Sequence, residues 1–439
     1  MIKYLGSKRT LLPMLVGLLA EFPELSTVSD VFSGTSRVGH AFKGAGWRVE
    51  ANDHNAYAHC LATCYVQADR ETWHDHAQAL VDELNRLPGT PGYFTETFCE
   101  RSRFFQPHNG ARVDAIREAI AAKALPPELE AVLLVSLMEA ADRVDSTCGL
   151  QMAYVKKWAT RAYKDLELRV PELHPAVPHG RCRAHRSDAL DFAARVDTHV
   201  AYVDPPYNQH SYLSNYHIWE SLVLWDKPEV YGVACKRVDC RERKSDFNSK
   251  RRHTEAFREV VQRLRSPLLV VSFNNEGYQS REQMEASLSE LGELFVITKD
   301  FKRYVGAQIG IYNPSGDKVG DISHLRNEEY LYLVARPGLT DLVPDAFARL
   351  ERFAAHVDDP GTPGGDDRVS QVEAVLRDHG PRTVAELQLA TGLSDYQARM
   401  AIESLVGRGL IEALPGRSKR YQFTGAEAAG LLNHSVSKK

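Results

Sequence analysis

Short apolar runs and helix-forming stretches alternate through the first 336 residues, and this alternation limits the fold more than any other feature. Val28–Phe32, Trp47–Ala51, Arg181–His185, Val200–Val203 and Pro267–Phe273 read as strands, with Leu294–Ile297 and Tyr330–Val334 as a late pair. Strands that alternate with helices build an open, mostly parallel α/β sheet with helices on both faces. Ligands in such sheets sit beyond the carboxyl ends of the strands, near the point where the strand order reverses. Residues that directly follow strands are therefore the first candidates for chemistry.

Two stretches interrupt the alternation. Ala68 to Leu173 is rich in helical pattern, including Arg112–Ala122 and Pro127–Ala141, and Asn208 to Arg265 is polar and charged in its first half. Both read as insertions that decorate the sheet. Asp358 to Asp367 has no apolar residue and is dominated by Pro, Gly and Asp, the composition of a linker. The expected organisation is a sheet domain over 1–336 with a helical insertion at 68–173, a linker over 337–368, a small unit over 369–425 and a tail over 426–439. A length of 439 residues suits this division at roughly 150 residues per domain.

The small unit reads as a winged helix-turn-helix. Val372, Val375 and Leu376 mark a first helix, and Thr383 with Glu386 marks a capping-box start for a second. Gly392 makes the turn, and Ser394 to Gly407 is the candidate recognition helix, with Tyr396, Gln397 and Arg399 near its start. Leu410–Leu414 and Arg420–Phe423 would be wing strands around a tip that carries Arg417 and Lys419. Winged helices bind DNA through these parts, and others mediate protein contacts.

The net charge is -4, so any nucleic-acid contact must come from local patches. No apolar run reaches the ~18 residues of a membrane span, and Met1-Ile2-Lys3-Tyr4 lacks a signal-peptide core, so a cytoplasmic protein without membrane contact is expected. The seven cysteines have no metal-ligand spacing and read as reduced, mostly buried thiols, with no metal site.

Asp204-Pro205-Pro206-Tyr207 follows the strand Val200–Val203. Two prolines make a rigid turn without N–H donors. The carboxylate, or a carbonyl beside it, can accept a hydrogen bond from an exocyclic amine, and the tyrosine face can stack on a planar base. Together they suit a flipped-out nucleobase whose amine is to be alkylated. Phe32-Ser33-Gly34-Thr35-Ser36-Arg37-Val38-Gly39 joins a strand to a helix, and Gly34 lets the backbone turn tightly against a ligand, or simply turn. Asp53, at the end of the next strand, can hold a ribose hydroxyl pair or cap a helix. Lys8 stands where a helix begins, an unfavourable place for a merely solvated cation. Asp188 follows a third strand and can contact an adenine amine or cap the helix near Ala189.

Lys236 to Arg252 holds eight Lys or Arg against three Asp or Glu. Lys236, Arg237, Arg241, Arg243 and Lys244 are candidate phosphate contacts, with a solvated charged surface as the alternative. Tyr93, Phe94, Arg101, Arg103, Phe104 and Phe105 mix aromatics with cations; a packed core with a basic rim is the favoured reading.

In order, Lys3-Tyr4-Leu5-Gly6-Ser7-Lys8, Phe32-Ser33-Gly34-Thr35-Ser36, Asn52-Asp53 and Asp204-Pro205-Pro206-Tyr207 resemble the Dam/FokI-like class of adenine-specific DNA methyltransferases. Tyr212, Asn215, Tyr216 and His217 extend the resemblance, which covers roughly residues 1 to 336 and excludes the winged unit. It implies a Rossmann-like methyltransferase sheet, S-adenosylmethionine as methyl donor and adenine in double-stranded DNA as acceptor. On that basis Tyr4, Lys8, Phe32, Gly34, Asp53, Asp188 and Asp204 are expected at the donor. Asp204, Pro205, Pro206 and Tyr207 are expected at the target base, with the 68–173 insertion reading the sequence. Ser36 stands where many relatives carry a second glycine, which puts the loop geometry in question. A monomer that acts beside a cognate restriction endonuclease is the implied setting. The rival readings are a methyltransferase for cytosine amine or RNA, and a DNA-binding regulator with an inactive core.

Overall fold

The computed structural model describes residues 1–302 except 7, 10 and 156, residues 326–337, and short stretches between 311 and 423. The chain divides into two units, Met1–Ala348 and Arg349–Lys439, so the first extends past the expected boundary at 336.

The first unit is organised by a seven-stranded sheet. Its strands are β1 (Thr27–Asp30), β2 (Arg48–Asn52), β3 (Arg183–His185), β4 (Val200–Val203), β5 (Leu268–Asn274), β6 (Glu293–Lys302) and β7 (Arg326–Ala335). They lie in the order β3-β2-β1-β4-β5-β7-β6. The first five in this order are parallel to one another. β7 runs antiparallel to both β5 and β6, so the late pair is antiparallel. β1, β4 and β5 are buried along their whole length, because helices cover both faces; this is why these strands read as unbroken apolar runs.

The strand order reverses beside β1, between β2 and β4, which opens a crevice at their carboxyl ends. Since β7 is antiparallel, its amino-terminal half reaches the same edge: Glu329 stands opposite Asn274, the last residue of β5. This placement is invisible in a reading that looks only at the ends of parallel strands.

Helices fill the stretch from Arg70 to Arg143. Pro107–Ala122 and Pro127–Arg143 each begin with proline in the first turn, where its missing N–H costs nothing. Glu128 and Glu130 in the first turn and Arg143 in the last suit the dipole of the second helix. Phe94, Phe98, Phe104 and Phe105 are buried in one core with Leu133, Leu137, Tyr216 and Trp219, so the aromatic segment is core and the insertion packs onto the chain that follows β4. Arg103 lies over the Trp158 ring at 4.8 Å. A second core, with Val31, Val203, Phe257, Val271 and Tyr332, fills the other side of the sheet.

In the second unit Ile411–Leu414 pairs antiparallel with Arg420–Phe423, which also pairs with Arg382–Thr383. Val372, Leu376, Leu387, Ile402, Leu405 and Ile411 share a small core. The capping box is present: the Thr383 hydroxyl accepts from the Glu386 N–H at 3.3 Å, and Glu386 accepts from the Thr383 N–H at 2.8 Å. The 358–367 linker, Arg399, Arg417, Lys419 and the 426–439 tail lie outside the described residues. Six of the seven cysteines are buried, and all are free thiols. No helix among the described residues is long and apolar enough to cross a membrane.

Candidate active site

A cavity at the carboxyl edge of β1, β2 and β4 is lined by Tyr4, Lys8, Asp30, Phe32, Gly34, Arg37, Asp53, Tyr202, Asp204, Pro206, Tyr212 and Arg243, among others. Six of the seven residues expected at the donor line it; Asp188 does not.

The loop after β1 is shaped by two left-handed residues. Gly34 has φ +50°, and a Cβ there would lie 3.3 Å from the Tyr4 hydroxyl, so both conformation and space require glycine. Ser36 has φ 56° and ψ 22°, the conformation a glycine would adopt freely. Ser36 therefore holds a left-handed turn at the cost of local strain. The Gly34 N–H donates to Asp53 Oδ2 at 3.1 Å, and Asp53 Oδ1 accepts from the Asn55 N–H at 2.9 Å. Asn55, not Asp53, occupies the N-cap of helix Ala56–Ala62, so the capping alternative for Asp53 does not hold. Asn52 pegs three loops together: it donates to the Val31 and Ser187 carbonyls at 3.2 and 3.3 Å and accepts from the Ser187 hydroxyl at 2.8 Å.

Asp188 is the N-cap of helix Ala189–Arg195, accepting from the Leu190 N–H at 2.8 Å. It lines an adjoining recess that shares His54 and Arg243 with the central cavity. The capping alternative is the one observed.

Asp204 stands just past β4, and Lys8 reaches it from the amino-terminal segment at 3.1 Å. Lys8 is only 7% exposed, which rules out a solvated surface cation. Its ammonium is also paired with Glu329, whose Oε1 accepts from the Ser272 hydroxyl at 2.9 Å. Burial opposes the Lys8 charge, yet Asp204 and Glu329 hold it well above the ordinary lysine range. Burial pushes the Asp204 carboxyl up to about 6, with Lys8 pulling down and Glu329 pushing up. Asp30, the last residue of β1, is pushed further, to about 8, by burial and then by the charge of Asp204. Its Oδ2 is buried and has no hydrogen-bond partner among the described residues.

The turn after Asp204 is held from outside. The Pro206 carbonyl accepts from His253 Nε2 at 3.0 Å, and the Gln279 amide donates to His253 Nδ1 at 3.0 Å, which fixes the tautomer. Among the described residues no donor reaches the Pro205 carbonyl. The Tyr207 ring meets Phe273 edge-on at 5.8 Å and stands beside the cavity rather than in its wall. Tyr4 is clamped by two residues that follow the turn, stacking on Tyr216 at 4.5 Å and on Tyr212 at 5.2 Å. The Leu5 N–H donates to the Tyr216 hydroxyl at 2.6 Å.

Two of the basic candidates have internal partners. Arg237 is 3% exposed and grips Asp226 through two bonds at 2.7 Å, with Asp239 at 3.0 Å. A buried guanidinium answered by two carboxylates has no charge left for a phosphate, so Arg237 is corrected from a DNA contact to an internal strut. Arg243 pairs with Glu220 at 2.9 Å and Asp239 at 3.3 Å, and it faces the cavity. Arg241 lies over the Tyr231 ring at 3.8 Å; it and Lys244 are exposed, and Lys236 is half-buried.

Asp30, Glu329 and His253 were missed by sequence reasoning. Asp30 directly precedes the glycine loop, and a carboxylate at a strand end could have flagged it. Glu329 and His253 carry no local signal, because only the packing of β7 and of helix His253–Arg263 brings them to the site.

Residues 4–275 match the family described as D12 class N6 adenine-specific DNA methyltransferase. The chain is 29% identical over 310 residues to the Type II methyltransferase M.FokI of Planomicrobium okeanokoites, covering 66% of this chain and 47% of that protein. It is 27% identical to the modification methylase StsI of Streptococcus sanguinis, covering 46% of it. It is also 27% identical to the Type II methyltransferase M.NlaIII of Neisseria lactamica, covering 69% of this chain and 88% of that protein. The chain thus matches about half the length of the first two and most of the third.

Proposed function

The chain belongs to the D12 class of N6 adenine-specific DNA methyltransferases, and from that premise we propose that it methylates the exocyclic amine of an adenine flipped out of double-stranded DNA. The observation that supports this most is the convergence of Asp204, Lys8, the Gly34 loop and Asp53 on one cavity.

The residues present fit S-adenosylmethionine. Gly34 lets the loop pass close to the Tyr4 ring at the cavity edge, Asp53 stands beside it as the proposed ribose acid, and the unpartnered Asp30 oxygen is the proposed partner of the donor's ammonium. When bound, the donor supplies a methyl group on a sulfonium leaving group. Asp204 and the Pro205 carbonyl would accept hydrogen bonds from the two amine N–H groups, which turns the nitrogen lone pair toward the methyl carbon, and the methylated nitrogen then loses one proton to solvent. Asp204 must be ionised for this, and its charge stabilises the positive charge that develops on the amine. His253 and the two prolines hold the carbonyls still, so the site is built before the base arrives. Tyr207, beside the cavity, is the proposed stacking partner of the base.

The 68–173 insertion is the proposed sequence reader, the 369–425 unit a winged helix-turn-helix that adds DNA contacts, and a cognate restriction endonuclease the proposed partner. The test is transfer from tritiated S-adenosylmethionine to unmethylated genomic DNA, followed by mapping of the modified bases. Methyladenine at a defined motif is expected. Asp204→Ala should lower transfer by at least about a hundredfold while the melting temperature persists. Near-normal transfer by that variant would refute the assignment.

A further inference from the structure

Lys8 is shared between two carboxylates, of which Asp204 lines the cavity and the other does not. The other, Glu329, comes from β7, beyond the residues matched by the family. It is held in place: its Oε1 accepts from the Ser272 hydroxyl at 2.9 Å, and it pairs in register with Asn274 on one side and Lys299 on the other. A buried ion triad is weak support for stability, since desolvation offsets most of the attraction. At the edge of a catalytic cavity it has a better use. With Lys8 alone, Asp204 would be neutralised by its partner. With Glu329 present, one ammonium faces two carboxylates, and the cluster keeps a net negative charge toward an amine that becomes cationic during transfer.

We propose that Glu329 is a positioning residue for methyl transfer, holding Lys8 from the β7 side so that the Asp204 carboxylate stays oriented toward the amine and only partly neutralised. The inference rests on the methyltransferase reading above. The charged and titratable groups around Asp204 are Lys8, Glu329, Asp30, Tyr202, Tyr207 and Tyr212. Among the described residues, Glu329 is the carboxylate that pairs with the Lys8 ammonium from outside the cavity wall.

The test is Glu329→Gln in the full chain, which keeps the shape and can still accept from Ser272. Single-turnover transfer to unmethylated DNA is measured from pH 5.5 to 9, with donor affinity and melting temperature alongside. Transfer should fall about tenfold at its plateau, the order expected for loss of one oriented charge in a low-dielectric site. The acid limb should move to lower pH, because a negative neighbour of Asp204 is gone and Lys8 then serves Asp204 alone. Donor affinity should stay within about twofold, as Glu329 does not line the donor cavity. Ser272→Ala should move the limb in the same direction by less, which keeps the test informative if the first variant folds poorly. A plateau and limb like those of the wild type would overturn the proposal. So would a rate loss matched by lost donor binding with an unmoved limb. A wild-type protein that transfers nothing would overturn the methyltransferase reading beneath it, and this inference with it.

Discussion

Replacing Lys8 by methionine should move the acid limb of the proposed methyl transfer to higher pH. The ammonium lies 3.1 Å from Asp204, whose carboxyl stands at about 6 even with that help. An opposite charge this close lowers a carboxylate by about 1–3 pKa units, so its removal should raise Asp204 by roughly 2 units, to near 8. That shift corresponds to about 2.7 kcal/mol. At pH 7 the ionised fraction would drop from roughly nine tenths to roughly one tenth, and by pH 9 it would return to about nine tenths. Transfer by Lys8→Met should therefore be about tenfold low at pH 7 from this cause alone and recover toward pH 9, whatever its final height. Methionine is close to lysine in length, so packing changes little. Lys8→Arg retains the charge and should keep its limb near that of the wild type. The assay is single-turnover transfer with saturating donor across pH 5.5 to 9.5. A Lys8→Met profile that is lower everywhere but bends at the wild-type pH would show that Lys8 does not set the state of Asp204, and the reasoning would fail.

Two further changes test the loop and its neighbour. Ser36→Gly removes a strained left-handed residue and a buried hydroxyl with no hydrogen bond among the described residues. Less the extra freedom of glycine in the unfolded chain, it should stabilise the protein by about 1 kcal/mol in chemical denaturation; a loss of stability would contradict the strain. Asp30→Asn probes a carboxyl whose folded value, about 8, lies above its unfolded one. The native state keeps a proton that the unfolded chain releases, so wild-type stability should fall as pH rises from about 4 toward 8. The variant should lose that slope and melt higher than the wild type at pH 8 but not at pH 4. Four pKa units set a ceiling of about 5 kcal/mol, reduced by the unpartnered amide the asparagine brings. Donor binding should weaken at the same time; parallel melting curves at all pH values would refute the assignment.

The sheet and most of the cavity were legible because their causes are local. Val200–Val203 and Leu268–Asn274 are apolar on both faces whatever surrounds them, and a rigid Asp-Pro-Pro-Tyr turn announces itself wherever it occurs. Gly34 is required by a backbone angle, and Asp53 by its distance along the chain from that loop. Long-range pairing was not legible in the same way. The basic run from Lys236 looks uniform in sequence, yet Asp226 and Glu220 come back through the fold to take Arg237 and Arg243 inward, while Arg241 and Lys244 stay exposed. The left-handed backbone angle of Ser36 had no signal in the sequence. By itself the sequence determined which strands form, with the parallel ones placed to within two residues and the late pair read short by up to five, and which chemical groups stand at the parallel strands' ends, since these follow from apolar periodicity and turn chemistry. Only the tertiary structure decided which charges meet. The antiparallel entry of β7 carries Glu329 to Lys8, and burial there raises Asp204 to a value at which its charge depends on its neighbours.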